Sequence, residues 1–93
     1  MPYIVFAYDI ADDRRRDRVV RVLEDYLVRV QESVFEGEIG DRQHLRLLAE
    51  VGTLIDHRQD NIRVYNLCQR CRVTVETMGI AITPPERDED AVL

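Results

Sequence analysis

The sequence predicts an α+β domain in which two helices cover one face of an antiparallel sheet. Short apolar runs rich in β-branched and aromatic residues alternate with two longer segments in which apolar residues recur every three or four positions. These two periods are typical of strands and of amphipathic helices. The element order is strand, helix, one or two strands, helix, strand and strand, and its simplest arrangement is a ferredoxin-like βαββαβ fold. The length of 93 residues suits one small domain, which we expect to occupy residues 1–80.

The first strand is predicted at residues 3–8, a run that is too short for a helix and ends at Asp9. Both faces of this run are apolar, although the helices of a ferredoxin-like domain cover only one face of the sheet. The second apolar face therefore predicts a cover, and in a chain this short a second copy is the simplest candidate. We expect a homodimer that packs sheet face to sheet face.

The first helix is predicted from Arg14 to about Leu27. Asp12 and Asp13 precede it at positions where an acidic side chain caps a helix and complements its dipole. Its apolar residues form one stripe, and arginines lie on the opposite face. Five arginines, at positions 14, 15, 16, 18 and 21, fall within eight positions, so the helix offers a basic surface to phosphate groups.

Residues 28–39 predict either one bulged strand or a hairpin that turns at Glu32 and Ser33. A second helix follows from Arg42 to Ile55. Its inward positions are predicted to be Leu45, Leu48, Val51 (or Gly52) and Ile55. His44 is predicted to be an ordinary surface residue.

A strand at residues 62–67 precedes the pair Cys68 and Cys71. This pair fits a plain turn, a disulfide or redox pair, or half of a metal site shared across a dimer, since zinc needs four ligands and neither histidine is at finger spacing. A last strand is predicted to begin at Val73. The acidic tail, residues 84–93, is predicted to be disordered.

The net charge of −5, taken as one number, argues against nucleic acid as a partner. Segment 86–90 alone contributes −3 of it, and salt screens distant charge beyond ~8 Å, so the local arginine cluster can still bind phosphate. All thirteen basic residues are arginine, which suits bidentate phosphate contact or reflects the composition of the source genome. No apolar run approaches the ~20 residues of a membrane helix and no signal-peptide pattern opens the chain, so we expect a cytoplasmic protein.

Four motifs in series resemble the CRISPR-associated Cas2 family. They lie at residues 8–10 (Tyr-Asp-Ile), 12–19 (two Asp, two Arg and a Val), 29–37 (Arg-Val-Gln-Glu-Ser-Val-Phe-Glu-Gly) and 63–65 (Arg-Val-Tyr). The resemblance covers about residues 3–79. It implies a role beside the Cas1 integrase in CRISPR spacer acquisition, and a C-terminal strand, about residues 73–83, that crosses to the partner's sheet.

The resemblance also implies divalent-metal-dependent cleavage of RNA or duplex DNA. Asp9 is the candidate catalytic and metal-binding residue, because a two-fold axis would bring two Asp9 carboxylates together, and Mg²⁺ relieves their repulsion while using only one or two protein carboxylates. A metal there would polarise a phosphoryl oxygen and activate a water. The alternative is that Asp9 only caps or turns the chain into the first helix.

Nucleic acid is expected to be held through its backbone, since no recognition helix or aromatic platform is evident. Arg16 and Arg18 match family positions tied to substrate binding, with a solvated helix face as the alternative. The remaining candidates are Tyr8, Arg29, Ser33 and Phe35, of which Tyr8 and Phe35 also suit the core. Two other functions stay open: a non-catalytic DNA-binding scaffold, and a toxin-like ferredoxin-fold ribonuclease outside the family.

Overall fold

Four strands and three helices make up residues 2–79, the part of the chain that the structure, a computed structural model, describes. Their bounds are β1 (Tyr3–Asp9), α1 (Asp13–Glu24), β2 (Val28–Gln31), β3 (Val34–Glu38), α2 (Asp41–Leu54), β4 (Asn61–Leu67) and the single turn α3 (Gln69–Arg72). The predicted acidic tail and the end of the predicted exchanged strand, residues 80–83, lie outside the described residues. None of the described helices is both long and apolar enough to cross a bilayer.

The sheet has the strand order β2-β3-β1-β4, and all neighbouring strands run antiparallel. β1 therefore lies at the centre, with Phe6 opposite Phe35 on one side and Val64 on the other. This order and the two covering helices are those of the ferredoxin-like βαββαβ fold. The predicted fold class is confirmed.

The core lies between the helices and one face of β1. Ile4 and Phe6 are fully buried there, and Phe35 joins them from β3. The helices add Val19 and Leu23 from α1 and Leu47 and Val51 from α2, each pair one helical turn apart and so on one face. Burial of a side chain of this size contributes about 1.5–3 kcal/mol, so this layer supplies most of the hydrophobic stabilisation.

The other face of the sheet is only partly covered within one chain. Val5 and Ala7 of β1 are half-buried there, and Tyr65, opposite Val5 on β4, is 48% exposed. The apolar second face predicted from the sequence is thus present. The homodimer that would cover it stays a prediction.

The inward positions predicted for α2 are right in its second half and wrong in its first. Val51 is buried and Ile55 packs against the core. Leu45 is 69% exposed and Leu48 is 38% exposed, whereas Leu47 is fully buried. Two overlapping sets of apolar residues on this helix recur with the helical period. Packing against α1 buries the set that contains Leu47. His44 lies one turn before Leu47 and is half-buried, with Nε2 shielded from solvent and without a hydrogen-bond partner among the described residues, so its surface assignment is also corrected.

Residues 28–39 combine both open alternatives. β2 and β3 form a hairpin that turns at Glu32 and Ser33, and the register shifts between Arg29 and Gln31 as in a bulge. Residues 73–77 form no strand within the chain. A strand that pairs only with a second copy is not tested by a single chain and stays a prediction.

Candidate nucleic-acid and metal site

A cleft of about 840 Å³ opens where the end of β1, the β2–β3 turn and the start of α1 meet. It is lined by Tyr8, Asp9, Ile10, Arg16, Arg29, Glu32 and Ser33. Five of the residues predicted from the sequence for metal or nucleic-acid binding are among them. The exceptions are Arg18 and Phe35.

Asp9 is the last residue of β1 and its side chain is exposed. Within the described residues no hydrogen bond or ion pair engages its carboxylate, in contrast to those of Asp12 and Asp13 at the start of α1. Asp12 is the residue that caps α1, through a 2.9 Å bond from the Arg15 backbone N–H to its carboxylate. The capping role considered for Asp9 is therefore filled by Asp12, and the Asp9 oxygens are free to bind a ligand.

Tyr8 connects the core to the cleft. Its ring is 6% exposed, and its hydroxyl donates a 3.0 Å hydrogen bond to the Glu32 carbonyl. The same hydroxyl accepts a 3.1 Å hydrogen bond from Nη2 of Arg29. Tyr8 thus packs in the core, as its alternating position suggested, and also holds both the hairpin turn and the Arg29 guanidinium.

Phe35 is fully buried, with its ring centroid 6.3 Å from that of Tyr8. The predicted contact of Phe35 with nucleic acid is therefore corrected, because its ring lies inside the core. The Arg29 guanidinium lies 5.4 Å from the Phe35 ring centroid, within range of a cation–π interaction. Arg29 is therefore fixed by an aromatic face and a hydroxyl while its side chain stays at the surface.

Arg16 lines the cleft from the first turn of α1. Its guanidinium donates a 3.1 Å hydrogen bond to the Ile10 carbonyl and pairs with Asp13. The hydrogen bond to Asp13 raises the pKa of Arg16 above its already high usual value, so the charge is permanent. Arg18 is exposed on α1 outside the cleft, which makes it a solvated helix residue in this structure.

Arg15 belongs to the fold rather than to the phosphate-binding surface. Its Nε and Nη2 atoms donate to the two carboxylate oxygens of Asp60, at 2.8 and 3.1 Å. The Asp60 side chain is fully shielded from solvent and also accepts a 2.8 Å bond from the Asp56 backbone N–H. The hydrogen bond from Arg15 lowers the pKa of Asp60. This pair spans 45 positions, and no local sequence signal could have found it.

The donor atoms in the cleft are of the type that Mg²⁺ prefers. Asp9 and Glu32 bring carboxylate oxygens and Ser33 brings a hydroxyl, all hard oxygen ligands. Among residues 2–79, however, no group of three or more His, Cys, Asp or Glu side chains lies close enough together to hold a metal ion. These residues therefore suit an ion such as Mg²⁺, which keeps several water ligands when it binds. They do not suit an ion that is coordinated by protein ligands alone.

A family model described as CRISPR associated protein Cas2 matches residues 1–75. The chain belongs to the Cas2 family. Among curated Cas2 proteins it is similar to the CRISPR-associated endoribonuclease Cas2 1 of Chloroflexus aurantiacus, with 37% identity over 89 residues and 95% of each chain covered. The family recognised from the four motifs is confirmed.

Two solved structures show the same Cas2 fold. A hypothetical protein from Thermus thermophilus is similar with a TM-score of 0.79 and 35% identity, over 89% of this chain and 96% of that one. A chain in a partial Cas6-RT-Cas1–Cas2 complex is similar with a TM-score of 0.71 and 29% identity, over 84% of this chain and 91% of that one. Both likenesses therefore extend over most of this chain and nearly all of the compared chain.

Proposed function

We propose that this Cas2 protein acts in CRISPR spacer acquisition as a homodimer that binds the backbone of nucleic acid and associates with the Cas1 integrase. Family membership and the likeness to a chain in a complex that contains Cas1 support this role. The observation that carries it is the cleft at the end of β1, which combines an unpaired carboxylate at Asp9 with the held guanidinium of Arg29.

Arg29 and Arg16 are the residues proposed to bind phosphate. Arg29 is restrained by Tyr8 and Phe35 before any ligand arrives, so little side-chain entropy is lost when it binds. Ser33 in the same cleft can donate a hydroxyl hydrogen bond to a phosphate oxygen. Such contacts carry no base specificity, and affinity is expected to fall steeply with salt.

We propose further that the pair of Asp9 carboxylates in a homodimer holds Mg²⁺ and supports cleavage of RNA or duplex DNA. The uncovered sheet face with Val5, Ala7 and Tyr65 supports pairing of two copies through that face. When bound, the ion would polarise a phosphoryl oxygen and lower the pKa of a bound water. Asp9 would hold the ion, while Arg29 and Arg16 would orient the phosphodiester and neutralise its charge.

A second candidate is a non-catalytic scaffold that carries DNA to the integrase. It needs only the phosphate-binding arginines and association with Cas1, which the likeness to a chain in a complex that contains Cas1 supports. A toxin-like ribonuclease outside the family is no longer a candidate, because the chain belongs to the Cas2 family. Cleavage and its metal dependence therefore separate the two functions that remain.

The test compares wild type with Asp9→Asn, with Asp17→Asn as the control that removes the same charge from an exposed position on α1. With Mg²⁺ and either RNA or duplex DNA, Asp9→Asn should lose more activity than the roughly 10–100-fold typical of residues that only orient a metal ligand. DNA binding and capture of Cas1 should be retained, and Asp17→Asn should cleave like wild type.

Three results would contradict parts of this proposal. Cleavage that persists in highly purified Asp9→Asn protein rules out this site for the nuclease. Absence of cleavage by wild type in any divalent metal, with spacer acquisition in cells still dependent on the protein, supports the scaffold alone. A stable monomer in light scattering of the same samples contradicts the paired carboxylates.

A further inference from the structure

Cys68 and Cys71 lie at the end of β4, away from the Asp9 cleft. Both are free and exposed, and their Sγ atoms are 3.1 Å apart. Cys68 is the N-cap of the single turn α3, and its sulfur accepts a 3.2 Å hydrogen bond from the Cys71 backbone N–H. The two thiols also lie within hydrogen-bond distance of each other. The turn therefore holds two thiols at a separation from which a small side-chain movement forms a disulfide.

The surroundings hold this turn in place and leave Cys68 accessible. Arg72, the last residue of α3, pairs with Glu38 at 2.8 Å, and its guanidinium lies 4.1 Å from the ring centroid of Tyr3. These contacts tie α3 to the sheet. Beside it a second cleft of about 510 Å³ is lined by Cys68 but not by Cys71, so a small molecule entering that cleft meets Cys68 first.

The two thiols are chemically unequal. The hydrogen bond between the two thiols lowers the pKa of Cys68 and raises the pKa of Cys71. The thiolate is the attacking species in disulfide exchange, and a second nearby thiol resolves the intermediate. A metal site is less well supported, because within residues 2–79 no third ligand joins the pair.

We propose that Cys68 and Cys71 form a reversible dithiol–disulfide pair that exchanges with low-molecular-weight disulfides, with Cys68 as the attacking thiol and Cys71 as the resolving thiol. Cys68 thiolate attacks one sulfur of RSSR, which forms a mixed disulfide at Cys68 and releases RS⁻. Cys71 loses its proton to solvent, and its sulfur attacks Cys68 Sγ and expels the second RS⁻. The protein is thereby oxidised by two electrons and RSSR is reduced to two RSH once both leaving thiolates are protonated.

The location gives this exchange a structural consequence. The disulfide would close the turn between β4 and segment 73–79, which follows Arg72 directly. Reduced and oxidised protein would therefore differ where the chain leaves the sheet. This inference is independent of nucleic-acid binding and of Asp9.

The experiment equilibrates the full chain in buffers with different ratios of reduced to oxidised glutathione and then traps free thiols with a maleimide for intact mass analysis. Wild type should lose two hydrogens and both reactive thiols in one transition, without a dimeric product on non-reducing gels. Cys71→Ser should instead accumulate one glutathionyl group at Cys68. Cys68→Ser, the matched control, should accumulate much less at Cys71.

The proposal is overturned if both thiols stay free at every ratio, or if only disulfides between chains form. It is also overturned if Cys68→Ser and Cys71→Ser take up glutathione equally. Purified wild type that contains stoichiometric zinc, and whose thiols react only after a chelator is added, would show a metal site instead. Wild-type mass analysis alone decides the first two outcomes, so failure of a variant to fold does not remove the test.

Discussion

The Tyr8 hydroxyl joins the core to the cleft, and Tyr8→Phe removes it without opening a cavity. The change deletes the bond to the Glu32 carbonyl at 3.0 Å and the bond from Arg29 at 3.1 Å. A net hydrogen bond contributes about 0.5–1.5 kcal/mol, and both freed partners are near water and can be resolvated. We therefore expect a loss of about 1–2 kcal/mol in the free energy of unfolding.

The assay is urea denaturation followed by circular dichroism, at one protein concentration because dimer formation would make stability depend on concentration. The slope with denaturant should stay unchanged, since Phe keeps the buried shape. Tyr26→Phe is the matched control, because the Tyr26 hydroxyl donates a 2.6 Å hydrogen bond to the exposed Glu50 carboxylate of α2, away from the sheet face proposed to pair. Loss of this bond at an exposed site should cost less than about 1 kcal/mol.

Function supplies a second measurement on the same variant. With its restraint removed, Arg29 must be ordered by the ligand itself, so the affinity for duplex DNA should fall. A double-mutant cycle with Arg29→Gln isolates the Tyr8–Arg29 bond from the Tyr8–Glu32 bond. A stability loss in Tyr8→Phe no larger than that in Tyr26→Phe, or a cycle with no coupling in either stability or DNA affinity, would refute this role of Tyr8.

Two further predictions concern the fold. Leu47→Ala should destabilise the protein by about 2–5 kcal/mol because it leaves a cavity in the core. Leu45→Ala, at a position that is 69% exposed, should change the free energy of unfolding by less than about 0.5 kcal/mol. Comparable losses of the two variants in urea melts would refute the observed register of α2. Arg15 holds the pKa of Asp60 in the folded protein below its usual range. The ionised carboxylate therefore stabilises the fold above the pKa of an unfolded Asp, near 3.9. This stabilisation is lost as the pH falls through the lower pKa of Asp60 in the folded protein. The thermal midpoint of wild type should exceed that of Asp60→Asn at neutral pH and approach it below about pH 4, and a difference that stays constant across this range would contradict the ion pair.

Local chemistry along the chain was enough to predict β1, both long helices, β4 and the position of Asp9 at the end of β1. The run at residues 3–8 has no helical period, and Asp12 caps α1 through contacts within four residues, so neighbours in sequence decide both. The four motifs carried the family, and five of the candidate residues do meet in one cleft. These features depend on periodicity and on capping, which short segments contain in full.

Tertiary structure alone decided which of several equivalent local solutions the molecule uses. α2 has two possible apolar stripes, and only packing against α1 places Leu47 inward and Leu45 outward. Arg15 and Arg16 are adjacent and chemically identical, yet Arg15 is bound by Asp60 from 45 positions away, while Arg16 lines the cleft. Contacts between residues that are distant in sequence form only when the sheet has assembled, because the sheet brings their segments together. A local sequence pattern therefore does not specify which distant residue a side chain will contact.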